Sequence, residues 1–351
     1  MTTLSYGHLR DMLTPIGLWQ HCERGHAAPQ HGYSIDDEAR GLIVGLRCWQ
    51  TEIEPEFYAR LAATCFKFVE GAAITSGPAA GQYHNFCDDE GKWLDSVGSE
   101  DSFGRTLWGL GVACAVNAPF APRSAAETLL LGSLPVLPAM RPHYLRAKAF
   151  VILGLSEAGV AFDQTQTLAD ALADTYEQCA DGEWHWFEDQ MTYCNARLPQ
   201  ALFAASRLFP DSPRYRQIAI ESLDFLLRKT RNPQGSYNPV GNLRLTEAGW
   251  FTRSDDSPPL FDQQPVDAGA LVECCAEAFH ATGDLRYKHA AEDAFGWYLG
   301  KNVHNLPVFD TATGGVFDAL NPEGININQG AESVLSVHLA HQALSALRDQ
   351  E

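Results

Sequence analysis

Gly32-Tyr33-Ser34-Ile35-Asp36-Asp37 begins as a polar, aromatic loop and passes without a break into the apolar, helically periodic stretch Ile35 to Trp49. The same kind of junction recurs at Asp95 to Asp101, Arg141-Pro142-His143-Tyr144, Trp184 to Asn195, Phe261-Asp262-Gln263-Gln264-Pro265-Val266-Asp267 and Asn326 to Glu332. Helix N-termini gathered at one end of a ring point toward a common axis. Helix starts that repeatedly carry carboxylates and aromatics therefore predict one shared pocket.

Outward from these junctions, helical periodicity runs through Ile35 to Trp49, Glu56 to Glu70, Ser102 to Val116, Ala125 to Leu134, Tyr144 to Ala158 and Thr165 to Cys179. It continues through Ala196 to Leu208, Arg214 to Arg228, Val266 to Ala281, Leu285 to Leu299 and Ala331 to Leu347, with Leu4 to Leu13 as a further candidate. The stretches that follow the motif loops are apolar around most of their circumference, as in Ala147-Lys148-Ala149-Phe150-Val151-Ile152-Leu153-Gly154-Leu155, and such helices belong inside. The alternate stretches, such as Arg214 to Arg228, keep one polar face and read as an outer layer. Alternation of this kind predicts an all-α protein, an (α/α)6 toroid with long active-site loops, folded as one unit over residues 1–351.

Local signals support these boundaries. Ser34 and Asp37 have the spacing of a capping pair, Ser99 precedes Glu100-Asp101, and Pro142 and Pro265 fall where a first-turn proline is tolerated. Gly283 and Gly300 suit left-handed C-caps. The loops Ala72 to Gly98 and Arg231 to Leu260 exceed ordinary connection lengths and predict functional loops or small hairpins.

Gly32-Tyr33-Ser34-Ile35-Asp36-Asp37-Glu38-Ala39-Arg40, Ser99-Glu100-Asp101-Ser102-Phe103-Gly104-Arg105, Trp184-His185-Trp186-Phe187-Glu188 with Tyr193-Cys194-Asn195-Ala196-Arg197, and Asn328-Gln329-Gly330-Ala331-Glu332-Ser333 together resemble a bacterial group within the six-hairpin glycosidase superfamily. Members of that group occur alone or fused to glycosyltransferase domains. The resemblance covers about the whole chain. It implies the toroid fold and a carbohydrate context, with glycosyltransferases or other carbohydrate enzymes as partners, and it assigns no catalytic residue.

A formal net charge of -19, from 44 acidic against 25 basic residues, argues against a nucleic-acid footprint or an anionic membrane surface. A neutral substrate fits better than a polyanion. The nine cysteines show no CxxC pair and no Cys/His cluster with zinc spacing, so free thiols in a reducing compartment are expected. Met1 to Pro15 does not read as a secretory signal, and a cytoplasmic location is expected. No phosphate-cradling loop or nucleophile elbow occurs, so neither a metal nor a cofactor is expected.

Glycoside hydrolysis needs one protonated carboxyl to assist the leaving oxygen and one ionised carboxylate to activate water or attack carbon. Glu188, set among Trp184, Trp186, Phe187 and Tyr193, best suits the proton donor, because apolar rings raise a carboxyl pKa. Asp101 or Asp262 suits the base, with Glu100 and Asp37 as further candidates. Several of these acids have plainer readings. Asp37 and Asp267 occupy first turns where an Asp is often only a cap, and Asp36/Arg40 and Asp101/Arg105 have the i, i+4 spacing of structural ion pairs.

Tyr33, Trp93, Trp184, Trp186, Tyr193, Trp250 and Phe317 all fall in the motif loops and are candidates to stack on sugar faces. Asp36, His143, Asn195, Arg197, Gln263, Gln264, Asp318, Asn328, Gln329 and Glu332 complete the expected substrate contacts. The leading expectation is an inverting glycoside hydrolase on neutral oligosaccharides, inversion being implied by the resemblance alone. A uronate lyase would rely on Arg197 or Arg141, and a sugar epimerase on two His such as His143 and His185; the toroid hosts both classes. A sugar-binding module without turnover is the remaining alternative.

Overall fold

The structure, a computed structural model, describes residues 7–50, 54–140, 144–231, 251–255 and 259–347. In chain order its helices are α1 (Gly7–Met12), α2 (Ile35–Trp49), α3 (Pro55–Ala72), α4 (Glu100–Val116), α5 (Arg123–Ser133), α6 (Leu145–Ala158), α7 (Phe162–Cys179), α8 (Arg197–Leu208), α9 (Pro213–Thr230), α10 (Pro265–Thr282), α11 (Leu285–Gly296) and α12 (Ala331–Ala346). The even-numbered helices pack side by side in sequence, and α12 returns to α2, which closes the ring. Burial tells the two layers apart. Leu145 to Leu155 of α6 and Ser102 to Cys114 of α4 are buried without interruption, whereas α7 buries only Thr165, Leu168, Ala169, Leu172, Ala173 and Tyr176. That stripe has the three-to-four spacing of a helix with one wet face. The chain therefore has the (α/α)6 toroid fold.

Inner helices approach closely where side chains are absent. A Cβ at Gly111 of α4 would lie 2.0 Å from the carbonyl oxygen of Gly154 in α6, and one at Gly154 would lie 2.3 Å from that of Leu107. Backbone thus meets backbone across this seam.

Several helix ends follow the sequence signals. Ser99 caps α4 by accepting from Ser102 N, and Pro265 is the first residue of α10. Gly283 and Gly300 take φ of 70° and 99° at helix C-caps, where a side chain would be strained. At α2 the cap differs from the expected pair: Ser34 Oγ accepts from Asp36 N, and the Asp37 carboxylate turns to Arg40 instead. Pro142 lies outside the described residues, as does most of the loop from Arg231 to Leu260.

Among the described residues four two-stranded ribbons decorate the ring. They are β1 (Cys22–Glu23) with β2 (His26–Ala27), β3 (Tyr33–Ser34) with β4 (Phe86–Cys87), β5 (Gln190–Met191) with β6 (Phe251–Thr252), and β7 (Ala319–Asn321) with β8 (Gly324–Asn326). Every one of them lies in a segment leading into an inner helix. The ribbons therefore build walls at the end of the toroid where the inner helices begin. Among the described residues no helix is long and apolar enough to cross a membrane.

Candidate active site

First-turn side chains of the inner helices meet at that end of the ring and form a network that passes from helix to helix. Glu332 of α12 accepts from Arg40 of α2 at 2.5 Å, and the other arm of the same guanidinium reaches Asp37 at 3.1 Å. Asp36 reaches across to Arg105 of α4 at 3.1 Å, and Arg105 also pairs with Asp101 at 3.6 Å. Asp101 accepts from Tyr193 OH at 2.6 Å. Arg146 of α6 donates to the Tyr193 carbonyl at 2.7 Å and to Asn195 at 3.0 Å, and it pairs with Glu188. Asp267 of α10 completes the circuit by accepting from Cys194 N at 2.7 Å. Cys194 holds a left-handed φ of 46°, a conformation that costs a non-glycine residue energy and here aims its N–H at Asp267.

A cavity of about 280 Å³ opens beside this network, lined by Asp36, Asp37, Arg40, Asp318, Glu332 and Gln264, with His21 and Phe86 at its wall. Burial pushes Asp37 up to about 7, reinforced by the charges of Glu332 and Asp36 and opposed by Arg40. Asp267 is likewise pushed up to about 7, chiefly by burial, against the Cys194 N–H. Asp36 and Asp318 are raised by burial as well. His21 is lowered, first by burial and then by His31, whose ring meets it edge-on at 4.8 Å. The cavity therefore presents a carboxyl that shares its proton near neutral pH, further carboxyl groups, one engaged guanidinium and a neutral imidazole.

The residues singled out from sequence divide into three groups. Asp36, Asp37, Asp318, Glu332 and Gln264 line the cavity, and Asp101, Glu188, Tyr193 and Asn195 belong to the adjoining network. Asp262 is half-buried at the approach to α10, and Glu100 acts electrostatically on Lys148 of α6. A second group serves the scaffold. Trp186 is 0% exposed and Trp184 6%, packed on Phe225 and Phe251, so neither presents a face to a sugar. Tyr33 is buried, stacked on Trp19 with its hydroxyl on Thr14. Arg197 is buried away from the cavity, bonded to Gln200 and Glu273 over the Trp108 ring. Gln263 accepts from Trp297 and donates to the Leu260 carbonyl. Gln329 is buried, and its carbonyl takes a hydrogen bond from His8. Asn328 accepts from Arg24 N at the surface, and Trp93 stacks on His84. Phe317 is half-buried against the core, and His185 lies beside Phe225. The third group, Arg141, His143 and Trp250, lies outside the described residues.

Two expectations change in the structure. Glu188 is not an isolated acid among rings, because Arg146 pairs with it. Arg40 pairs with Asp37, three residues away, rather than with Asp36, because Arg105 on the neighbouring helix competes for Asp36. Arg146, His21 and Phe86 stand at this candidate site without having been singled out from the sequence. The signal for Arg146 was present, since a guanidinium at the start of an otherwise apolar inner helix must find a buried partner.

No family model matches the chain, and no curated protein matches it. Solved structures do. A sugar epimerase from a ruminal bacterium superposes with a TM-score of 0.73 at 10% identity, over 99% of this chain and 95% of that one. The cellobiose 2-epimerase of Spirochaeta thermophila gives 0.71 at 12%, over 97% and 92%. A GH76A α-1,6-mannanase from Salegentibacter sp. HEL1_6 gives 0.62 at 10%, over 97% and 96%. These enzymes share the six-hairpin glycosidase fold with this chain.

Proposed function

We propose that the chain is a glycoside hydrolase in which Asp37 donates the proton to the leaving oxygen and Glu332 receives the proton of the attacking water. The observation that carries this reading is Arg40, which holds one oxygen of each carboxylate from the two arms of a single guanidinium. Asp37 Oδ2 and Glu332 Oε1 have no other partner among the described residues and are left for chemistry. An acid with a pKa of about 7 is half protonated at neutral pH and transfers its proton readily, which is the poise a general acid needs. Glu332 is the more open of the two, its side chain 39% exposed, and can reach a water. Asp101 and Glu188, fixed by Tyr193 and Arg146, are suited to hold sugar hydroxyls. Carbohydrate-active enzymes populate this fold, and the acid-rich cavity disfavours glycosides that bear carboxylates. With Glu332 acting on water rather than on carbon, the reaction inverts the anomeric centre.

The test uses leaving groups. Asp37→Asn should lose turnover on an alkyl glycoside and keep much of it on a dinitrophenyl glycoside, which departs without a proton, whereas Glu332→Gln should lose both. Full activity of Asp37→Asn on the alkyl glycoside would remove the assignment.

A second reading has its own observation. His21, neutral and facing Asp318 and Glu332 across the cavity, could take a proton from the carbon next to a sugar carbonyl, as an epimerase or isomerase requires. Incubation with reducing disaccharides in D2O decides: deuterium at C2 without bond cleavage would favour this reading over the hydrolase.

A further inference from the structure

The cavity wall is rich in carboxylates. Among the described residues Arg40 is the only arginine or lysine lining it, and both of its terminal nitrogens are taken by Asp37 and Glu332. Three acceptors around the cavity have no donor among the described residues: Glu332 Oε1, Gln264 Oε1 and Asp318 Oδ2, whose companion Oδ1 already accepts from Gly330 N and Ser333 Oγ. Behind the wall Asp267 Oδ2 is buried without a partner too.

Charge points the same way. Even without Asp37 and Asp267, which hold protons up to about pH 7, the acids Asp36, Asp101, Glu188, Asp318 and Glu332 outnumber Arg40, Arg105 and Arg146 in the described part of this end of the ring. A hydroxyl fills one acceptor and leaves that imbalance in place. An ammonium group fills three and carries the missing charge.

We infer that the sugar bound in this cavity carries a free amino group, the ring of a 2-amino-2-deoxyhexose in an unacetylated oligosaccharide, with its ammonium between Asp318, Glu332 and Gln264. The inference rests on the reading of this cavity as the sugar site, and it concerns binding, not bond cleavage. Phe86, 41% exposed at the cavity wall, gives the apolar face of such a ring a surface to lie on.

Calorimetric titration of the full chain with the glucosamine disaccharide, its di-N-acetyl form and cellobiose tests it. The amine should bind at least tenfold more tightly than either neutral disaccharide, and added sodium chloride should erode only that advantage. Asp318→Asn should lower the affinity for the amine at least tenfold more than the affinity for cellobiose. Because Asp318 also caps α12, circular dichroism and the melting temperature accompany that variant, and the salt series on the unaltered protein stands independently of it. Equal affinity for the three ligands, a preference for a neutral one, or binding of none overturns the inference. Amine-selective binding with no release of reducing ends would uphold it while removing the hydrolase reading, and cleavage of neutral glycosides without amine selectivity would do the reverse.

Discussion

Asp37 is the residue on which the proposed chemistry turns, and its environment fixes a pH dependence. Its carboxyl is raised to about 7, first by burial and then by Glu332 and Asp36, and the protonated form is the one that can assist a leaving group. Activity on an alkyl glycoside should therefore fall tenfold per pH unit once pH exceeds about 7, the signature of losing an essential acid. On a dinitrophenyl glycoside, which departs without a proton, that alkaline limb should be absent in the unaltered chain and in Asp37→Asn alike. A limb that persists unchanged in the variant would place the titrating group elsewhere. The carboxylates were legible in the sequence, but their partners were not. Spacing along one helix shows that Asp36 can meet Arg40, yet it cannot show that Arg105, on the next helix, lies within 3.1 Å of Asp36. The same blindness affects Trp184 and Trp186, whose loop composition suggested a sugar platform while their contacts are with Phe225. An aromatic near a site and an aromatic under a site look alike until packing is known.

At the scale of the element, the inner helices were the most legible part of the chain. Periodicity places α2 at Ile35–Trp49 without error because Ser34 caps its start and the apolar run ends at Trp49. The all-round burial of α4 and α6 follows from a sequence that leaves no polar face to turn outward. What sequence did not reveal was how closely these two helices approach, because a glycine in an apolar helix reads the same whether or not another backbone lies against it. Gly111→Ala places a methyl group 2.0 Å from the Gly154 carbonyl, and backbone cannot yield as a side-chain end can. The substitution should cost about 1 to 3 kcal/mol, the range for overpacking a well-filled core, read as a lower urea midpoint. Gly132→Ala, with no atom within 4 Å of the added methyl, is the control and should hold or raise the midpoint, since alanine is the better helix former. Equal midpoints for the two variants would show that the α4–α6 seam is looser than its geometry states.

Over the whole molecule, the end of the toroid that holds the cavity concentrates buried acid, and this links stability to pH. Asp37 and Asp267 are raised to about 7 and Glu38 to about 8, in each case chiefly by burial. Unfolding returns them to ordinary carboxyl values, so across the window from about 4 to 8 the folded chain holds more protons than the unfolded one. The stability these groups contribute is fully present below the unfolded pKa and is lost as pH rises through the folded one. The melting temperature should accordingly fall between about pH 5 and pH 9. Glu38 isolates the effect, because it stands outside the proposed chemistry. Its Oε1 accepts from Leu18 N at 2.6 Å and anchors the segment that carries Gln20 and His21 into the cavity wall. Glu38→Gln keeps that acceptor, cannot ionise, and should flatten the decline of melting temperature above about pH 7 by several degrees, since a kilocalorie moves the midpoint by about 2 to 4 °C in a chain of this order of size. It should also preserve binding at the cavity as pH rises, because the Leu18 anchor no longer depends on a proton. A variant that melts as steeply with pH as the unaltered chain would show that Glu38 is ionised in the fold, and that a carboxylate rather than a carboxylic acid secures the wall of the site.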